Sequence, residues 1–197
     1  MRYSLEHKQE TRARILDAAG RLFRREGYGA SGIDGLTRAA GVTNGAFYGH
    51  FRSKRDALRM AVVAGLEDLR LGIAELKAKR GQGWLATFID FYLGPKRTCD
   101  LGRSCGLATL TTEVMRADAR TRRAFEAELR RIIAEVAAGL PARTAGNGDD
   151  MAIALLALLS GGVSLARAVP DPALAERIVR AVGRAATAMT AAPARVR

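Results

Sequence analysis

The chain has 197 residues, 48% of them hydrophobic, which is enough for one large domain or two small ones with a packed core. No run of about 18 apolar residues occurs, and the first twelve residues lack the apolar stretch of a secretion signal, so a spanning helix and export are disfavoured and the cytoplasm is the expected location. The net charge is +12, from 32 Lys and Arg against 20 Asp and Glu, and residues 1–60 carry 12 of the basic residues against 6 acidic ones. Positive density is therefore highest near the N-terminus, as a phosphate-binding surface requires. Cys99 and Cys105 do not make a disulfide framework, and His7 and His50 alone give no metal cluster, so no cofactor is expected.

The pattern predicts helices throughout and no strand. A first helix spans Leu5 to Glu26, with Ile15, Ala19, Leu22 and Phe23 on one stripe, and Gly27 ends it. Ser31 followed by Asp34 reads as a capping box opening a second helix, on which Ile33, Leu36, Thr37 and Ala40 share a face. Gly41-Val42 is a turn. Thr43 then caps a third helix with the body Asn44 to Phe51. Phe47 and Phe51, four apart, face inward, which leaves Thr43, Asn44, Gly45, Ala46, Tyr48 and His50 outside. Two short helices joined by a glycine-containing turn form a helix-turn-helix, whose second helix can enter a DNA major groove.

Ser53 and Asp56 form a second capping box, and a long fourth helix runs to about Arg80. Gly65 and Gly72 interrupt it and permit a bend or close packing. The fifth helix, Trp84 to Leu93, is stopped by Gly94-Pro95. Lys96 to Arg103 reads as a polar loop. Ser104 caps a sixth helix and Asp118 a seventh, which Gly139-Leu140-Pro141 ends. Asn147, with Asp150 three residues on, opens an eighth helix that is apolar nearly all round and hence buried on several sides. Asp171-Pro172 opens a ninth, with Leu174, Ile178, Val182, Ala185 and Met189 on one stripe.

The stretch GVTNGAFYGHFRSKRDAL, Gly41 to Leu58, resembles the signature of the TetR/AcrR family of bacterial transcription regulators. The agreement is in residue type and spacing over 18 positions: a turn, a short helix carrying Phe-Tyr, a His-Phe pair and a Ser-Lys start to the next helix. The resemblance implies an all-α, nine-helix architecture, with a DNA-binding domain at 1–52 and a ligand-binding and dimerisation domain at 53–197. It implies a homodimer on a palindromic double-stranded DNA operator, answering to a small-molecule effector, with no membrane partner. By position, Ser31 would meet a phosphate at a helix N-terminus. Thr43 and Asn44 would reach base edges or phosphates, Gly45 would let the backbone approach, and Ala46 belongs to the same DNA-binding face. Tyr48, His50 and Lys54 would hold phosphates. Gly49 departs from the family, where many members carry a second aromatic or a polar residue.

The resemblance further implies an effector pocket, for which Leu69, Trp84, Phe88, Tyr92, Cys105, Thr111, Met115 and Phe125 are the candidates. Read on their own, the aromatic residues serve a core equally well. Small and apolar residues on the last two helices suggest a four-helix dimer interface, built from Leu155, Leu158, Leu159, Gly162, Leu165, Ile178, Val182 and Met189. Cys105 reads as packing at a helix start. A second reading makes it a sensor thiol for electrophiles or oxidants, favoured as thiolate by the helix dipole and Arg103. A small helical cysteine enzyme would need a partnered base. Both histidines lie in the N-terminal segment, so the chain is expected not to be an enzyme.

Overall fold

The structure is a computed structural model that describes residues 5–140 and 148–190. All regular structure among these residues is helical. The α-helices are α1 (Leu5–Ala30), α2 (Ile33–Ala40), α3 (Asn44–Tyr48), α4 (Lys54–Arg80), α5 (Trp84–Leu93), α6 (Pro95–Thr98), α7 (Gly106–Met115), α8 (Ala119–Ala137), α9 (Gly148–Ala168) and α10 (Pro172–Thr190). Nine of them are the expected helices. The tenth, α6, lies where a loop was expected.

Local chemistry accounts for most of the boundaries. Gly27 breaks α1 with a left-handed φ of 79°, which an L side chain rarely adopts. Gly41 closes α2 at φ 62°, and its N–H group meets the carbonyls of the last turn. Ser53 Oγ accepts from the Asp56 N–H at 3.1 Å and caps α4 as expected, while Asp56 Oδ2 accepts from the Arg52 N–H at 3.1 Å, one residue further back than in a capping box. Asp118 caps α8 through the Thr121 N–H at 2.8 Å, which with weaker contributions from Arg55 and Arg120 lowers its carboxyl pKa. Asp171 caps α10 through the Ala173 N–H at 2.9 Å. The expected Asn147 cap and Pro141 stop lie outside the described residues.

Two sequence-based helix starts are corrected. The cap of α2 is Gly32, not Ser31. The buried Ser31 hydroxyl instead donates to the Gly27 carbonyl at 2.7 Å, bracing the break in α1. In α7, Cys105 is the capping position and Gly106 the first helical residue, one later than expected.

The chain forms two compact units, residues 1–66 with 100–126, and residues 67–99 with 127–197. This division by packing differs from the division by role expected at residue 52. In the first unit α1 packs on α2, on α7 and on a 3₁₀ turn at Leu101–Arg103. Ile15, Ala19, Phe23, Leu36, Phe47, Phe51, Val62 and Leu110 are buried there. Arg24 Nε donates to the Gly102 carbonyl at 2.7 Å and holds the 3₁₀ turn to α1. Gly65 of α4 and Gly106 of α7 lie in backbone contact, and a Cβ on Gly65 would lie 3.2 Å from Arg24 Nη1, whereas a Cβ on Gly72 would meet nothing within 4 Å.

In the second unit α5 packs against α6, α9 and α10, and α9 lies along α10. The short α6 is held by groups distant in sequence. Arg97 pairs with Glu176 of α10 at 2.7 Å, and Arg167 of α9 donates to the Cys99 carbonyl at 2.8 Å, just past the end of α6. By length and composition alone α9 could cross a bilayer, a test that the core helix of a globular protein also passes. Its Leu155, Leu156, Leu159 and Val163 are nonetheless buried, as in a core helix.

Candidate nucleic-acid interface

The candidate interface is built on α3. Thr43 Oγ1 accepts from the Ala46 N–H at 3.1 Å and caps the helix, so its five residues start where the turn sets them. Phe47 and Phe51 are fully buried, with ring centroids 5.4 Å apart. Burying a side chain of that size stabilises by roughly 1.5–3 kcal/mol. This anchoring leaves Thr43, Asn44, Gly45 and Tyr48 exposed and Ala46 half-buried. Tyr48 is 55% exposed. The helix ends at Tyr48 rather than Phe51, with Gly49 as its cap.

Basic residues of α1 support this end. Arg12 Nη1 donates to the His50 carbonyl at 2.8 Å, and its guanidinium lies 4.9 Å from the Phe51 ring centroid. Burial, then Lys8 and Arg12, lowers the His50 pKa from its usual value. Lys54 Nζ lies 4.1 Å from the Tyr28 ring centroid. Burial lowers its pKa as well, and the Glu113 carboxylate opposes that shift. A cleft of about 410 Å³ lies beside it, lined by Gly27, Tyr28, Arg55, Leu58, Glu113 and Asp118 among others.

Two expected contacts are already engaged within the protein. The buried Ser31 hydroxyl is committed to Gly27, so its expected phosphate bond is not available from that donor. Asn44 Nδ2 donates to Asp34 Oδ1 at 3.0 Å, and Asn44 Oδ1 accepts from Thr37 Oγ1 at 2.9 Å. The supporting roles of Arg12, Tyr28, Asp34 and Thr37 were missed in the sequence. Only Asp34 had a local signal, and that pointed to a cap.

The other expected sites divide differently from the expected groupings. Leu69 is half-buried and Trp84, Phe88 and Tyr92 are buried, all in the second unit. Neighbouring rings along α5 lie 6.1 and 5.5 Å apart. Trp84 Nε1 donates to the Gly139 carbonyl at 2.9 Å, tying α5 to the chain just past α8. Cys105, Thr111, Met115 and Phe125 belong to the first unit. Cys105 is 4% exposed, and Thr111 donates to the Leu107 carbonyl one turn back at 2.6 Å. Phe125 is half-buried. Met115 is a surface residue, 71% exposed.

Of the expected dimer residues, Leu155, Leu159 and Gly162 are buried within the protomer. A Cβ on Gly162 would lie 2.8 Å from both γ carbons of Val182, so this pair serves the contact of α9 with α10. Leu158, Ile178, Val182 and Met189 are half-buried. Leu165 is 61% exposed and Ile153 47%.

A capped short helix with an exposed outer face, packed on a second short helix across a glycine turn, is the helix-turn-helix arrangement, whose second helix can enter a DNA major groove. Comparison with known proteins agrees. Residues 15–59 match the profile of bacterial regulatory proteins of the tetR family. The HTH-type transcriptional repressor Rv1474c of Mycobacterium tuberculosis is 31% identical over 170 residues, covering 77% of this chain and 91% of that protein. The HTH-type regulator AcrR of Shigella flexneri is 38% identical over 76 residues, 39% of this chain and only 34% of that protein. Among solved structures, reduced E. coli NemR superposes with a TM-score of 0.81 at 20% identity, covering 94% of this chain and 99% of that one. Bacillus subtilis FadR in complex with stearoyl-CoA gives 0.65 at 16% identity, covering 86% and 96%. The chain belongs to the TetR family and is a DNA-binding transcriptional regulator.

Proposed function

We propose that this protein is a ligand-responsive repressor that acts in the cytoplasm as a homodimer on a palindromic operator, and that it is a binding protein rather than an enzyme. The carrying observation is the outward face of α3, with Thr43, Asn44 and Gly45 at its start and Tyr48 at its end, followed in the chain by His50 and Lys54. In this reading Thr43 and Asn44 address bases, while Tyr48, His50 and Lys54 address phosphates. That the Mycobacterium tuberculosis relative is a transcriptional repressor supports the sign of regulation.

Dimerisation is supported by an apolar face that the protomer does not cover. Ile153, Ala157, Gly161 and Leu165 recur every fourth residue on α9 and are all exposed. Leu174, Ala181, Ala185 and Ala188 are exposed on α10. Small residues allow helices to approach closely, and a dimer would remove this face from water. An effector acts in this reading by its differential affinity for the DNA-binding and released states, with a typical coupling of about 1–3 kcal/mol.

The experiment is sedimentation equilibrium of the full chain, followed by footprinting on DNA upstream of its own and neighbouring genes. A dimer protecting a two-fold symmetric site is expected. A monomer, or protection without symmetry, overturns the reading.

A further inference from the structure

Asn44 stands at the first position of α3 with its amide held on both sides by α2. Asp34 accepts from Nδ2 and Thr37 donates to Oδ1. An ionised carboxylate only accepts hydrogen bonds, so the amide must turn its nitrogen toward Asp34. A flipped amide would set two acceptors against each other at Asp34, while at Thr37 it would only reverse the bond, the amide nitrogen donating to the hydroxyl; Asp34 therefore sets the order and Thr37 holds the oxygen end in place. The Thr37 hydroxyl has one proton and two acceptors in range, the Asp34 carbonyl at 3.3 Å and Asn44 Oδ1 at 2.9 Å, and the shorter contact is to Asn44. Thr37 is itself buried, so its hydroxyl starts from a fixed place.

A count of the amide's remaining capacity follows. It has two N–H groups and two lone pairs on oxygen, and the brace uses one of each. One donor and one acceptor remain. They match the N7 acceptor and N6 donor that adenine presents in the major groove. The brace also carries a cost. Asp34 is an exposed carboxylate on the helix-turn-helix of a protein that binds a polyanion.

We infer that Asp34 and Thr37 are positioning residues for sequence readout: they fix the donor–acceptor order of Asn44 before DNA arrives. This rests on the proposal that Asn44 addresses a base. In an unbraced helix the amide would sample both flips and would be ordered only on binding, with weaker preference for one base pair.

The test starts from a pool of random-sequence duplexes, from which the full-length wild type enriches its preferred sequence. Dissociation constants at one salt concentration are then compared for that duplex, for single-base-pair variants of it, and for an unselected duplex. Asn44→Ala is expected to erase the preference at one base pair, by on the order of tenfold. Thr37→Val and Asp34→Asn are expected to weaken preference at that same base pair, with melting temperatures recorded alongside. Asp34→Asn carries a second signature. Loss of one negative charge tightens binding to the unselected duplex while selectivity falls, and a purely structural defect would weaken both. If Thr37→Val and Asp34→Asn keep the wild-type preference where Asn44→Ala loses it, the brace serves packing and the inference is overturned. If Asn44→Ala changes no base preference, the inference falls with the base-reading role. Failure to enrich any duplex would instead overturn the operator reading as a whole.

Discussion

Replacing Gly162 with alanine should destabilise the protein, although alanine is the better helix former. In the middle of a helix alanine is favoured over glycine by about 0.5–1 kcal/mol. At Gly72 of α4 the new Cβ meets nothing within 4 Å, so Gly72→Ala should realise that gain. At Gly162 the Cβ would lie 2.8 Å from Val182 Cγ1, 2.8 Å from Cγ2 and 3.2 Å from Cβ. Carbon atoms prefer about 3.5–4.0 Å. Both branches of the valine are in the way and its χ1 is stiff, so rotation offers little relief and α9 must move off α10. Overpacking of this kind costs about 1–3 kcal/mol. The two variants should therefore differ by about 1–3 kcal/mol, with Gly72→Ala the more stable. Urea denaturation followed by far-UV circular dichroism, at one protein concentration, measures the difference. In a Val182→Ala background the cost of Gly162→Ala should largely disappear, because the two γ carbons at 2.8 Å are gone and only the Cβ at 3.2 Å remains. Equal midpoints for Gly72→Ala and Gly162→Ala would refute the close approach of α9 and α10.

Three further outcomes are expected. Lys54→Ala should weaken operator binding and lower the slope of log affinity against log salt by about 1, with the dimer intact by sedimentation; an unchanged slope would remove Lys54 from the phosphate contacts. His50 has a lowered pKa in the fold, so below its ordinary value of about 6.5 the unfolded chain takes up a proton that the folded chain resists, and stability falls as pH drops through that value. His50→Gln should flatten this part of the pH dependence, and identical profiles for the two proteins would exclude His50 as its source. N-ethylmaleimide should modify half-buried Cys99 before buried Cys105 in the native protein, with Cys105 reacting on unfolding; rapid Cys105 modification with release of DNA would restore the sensor-thiol reading.

The sequence carried the helices because each is marked locally, by a 3.6-residue apolar period and by residues with specific end chemistry. Ser53, Asp118 and Asp171 cap where their spacing predicted. What was not legible depends on partners far away in the chain. The four residues of α6 are held by Glu176 and Arg167, which no local pattern announces. Ser31 looked like a cap because a serine three residues before an acid usually is one, yet Gly32 also suits that position and the hydroxyl found the Gly27 carbonyl instead. The outward character of α3 was readable from Phe47 and Phe51. The engagement of Asn44 was not, because Asp34 and Thr37 meet it only once α2 and α3 have packed. Gly162 was expected at a dimer interface, and within the protomer it lies against Val182 of α10, since periodicity cannot say which of two apolar faces belongs to the protomer.

The composition of the first compact unit bears on how this protein is made and how it can be cut. Residues 1–66 contain the whole helix-turn-helix, but α7 from residues 100–126 supplies buried Leu107, Leu110 and Val114 to the same unit, and Arg24 finds its acceptor at Gly102. On the ribosome the N-terminal helices emerge first and must wait, with the α7-facing side of α1 uncovered, until the later segment arrives. A fragment ending midway along α4 would keep every residue proposed to face DNA and lack part of the scaffold beneath them. A transplantable DNA-binding head from this chain would need residues 100–126 joined back to 1–66, by a linker the natural sequence does not provide.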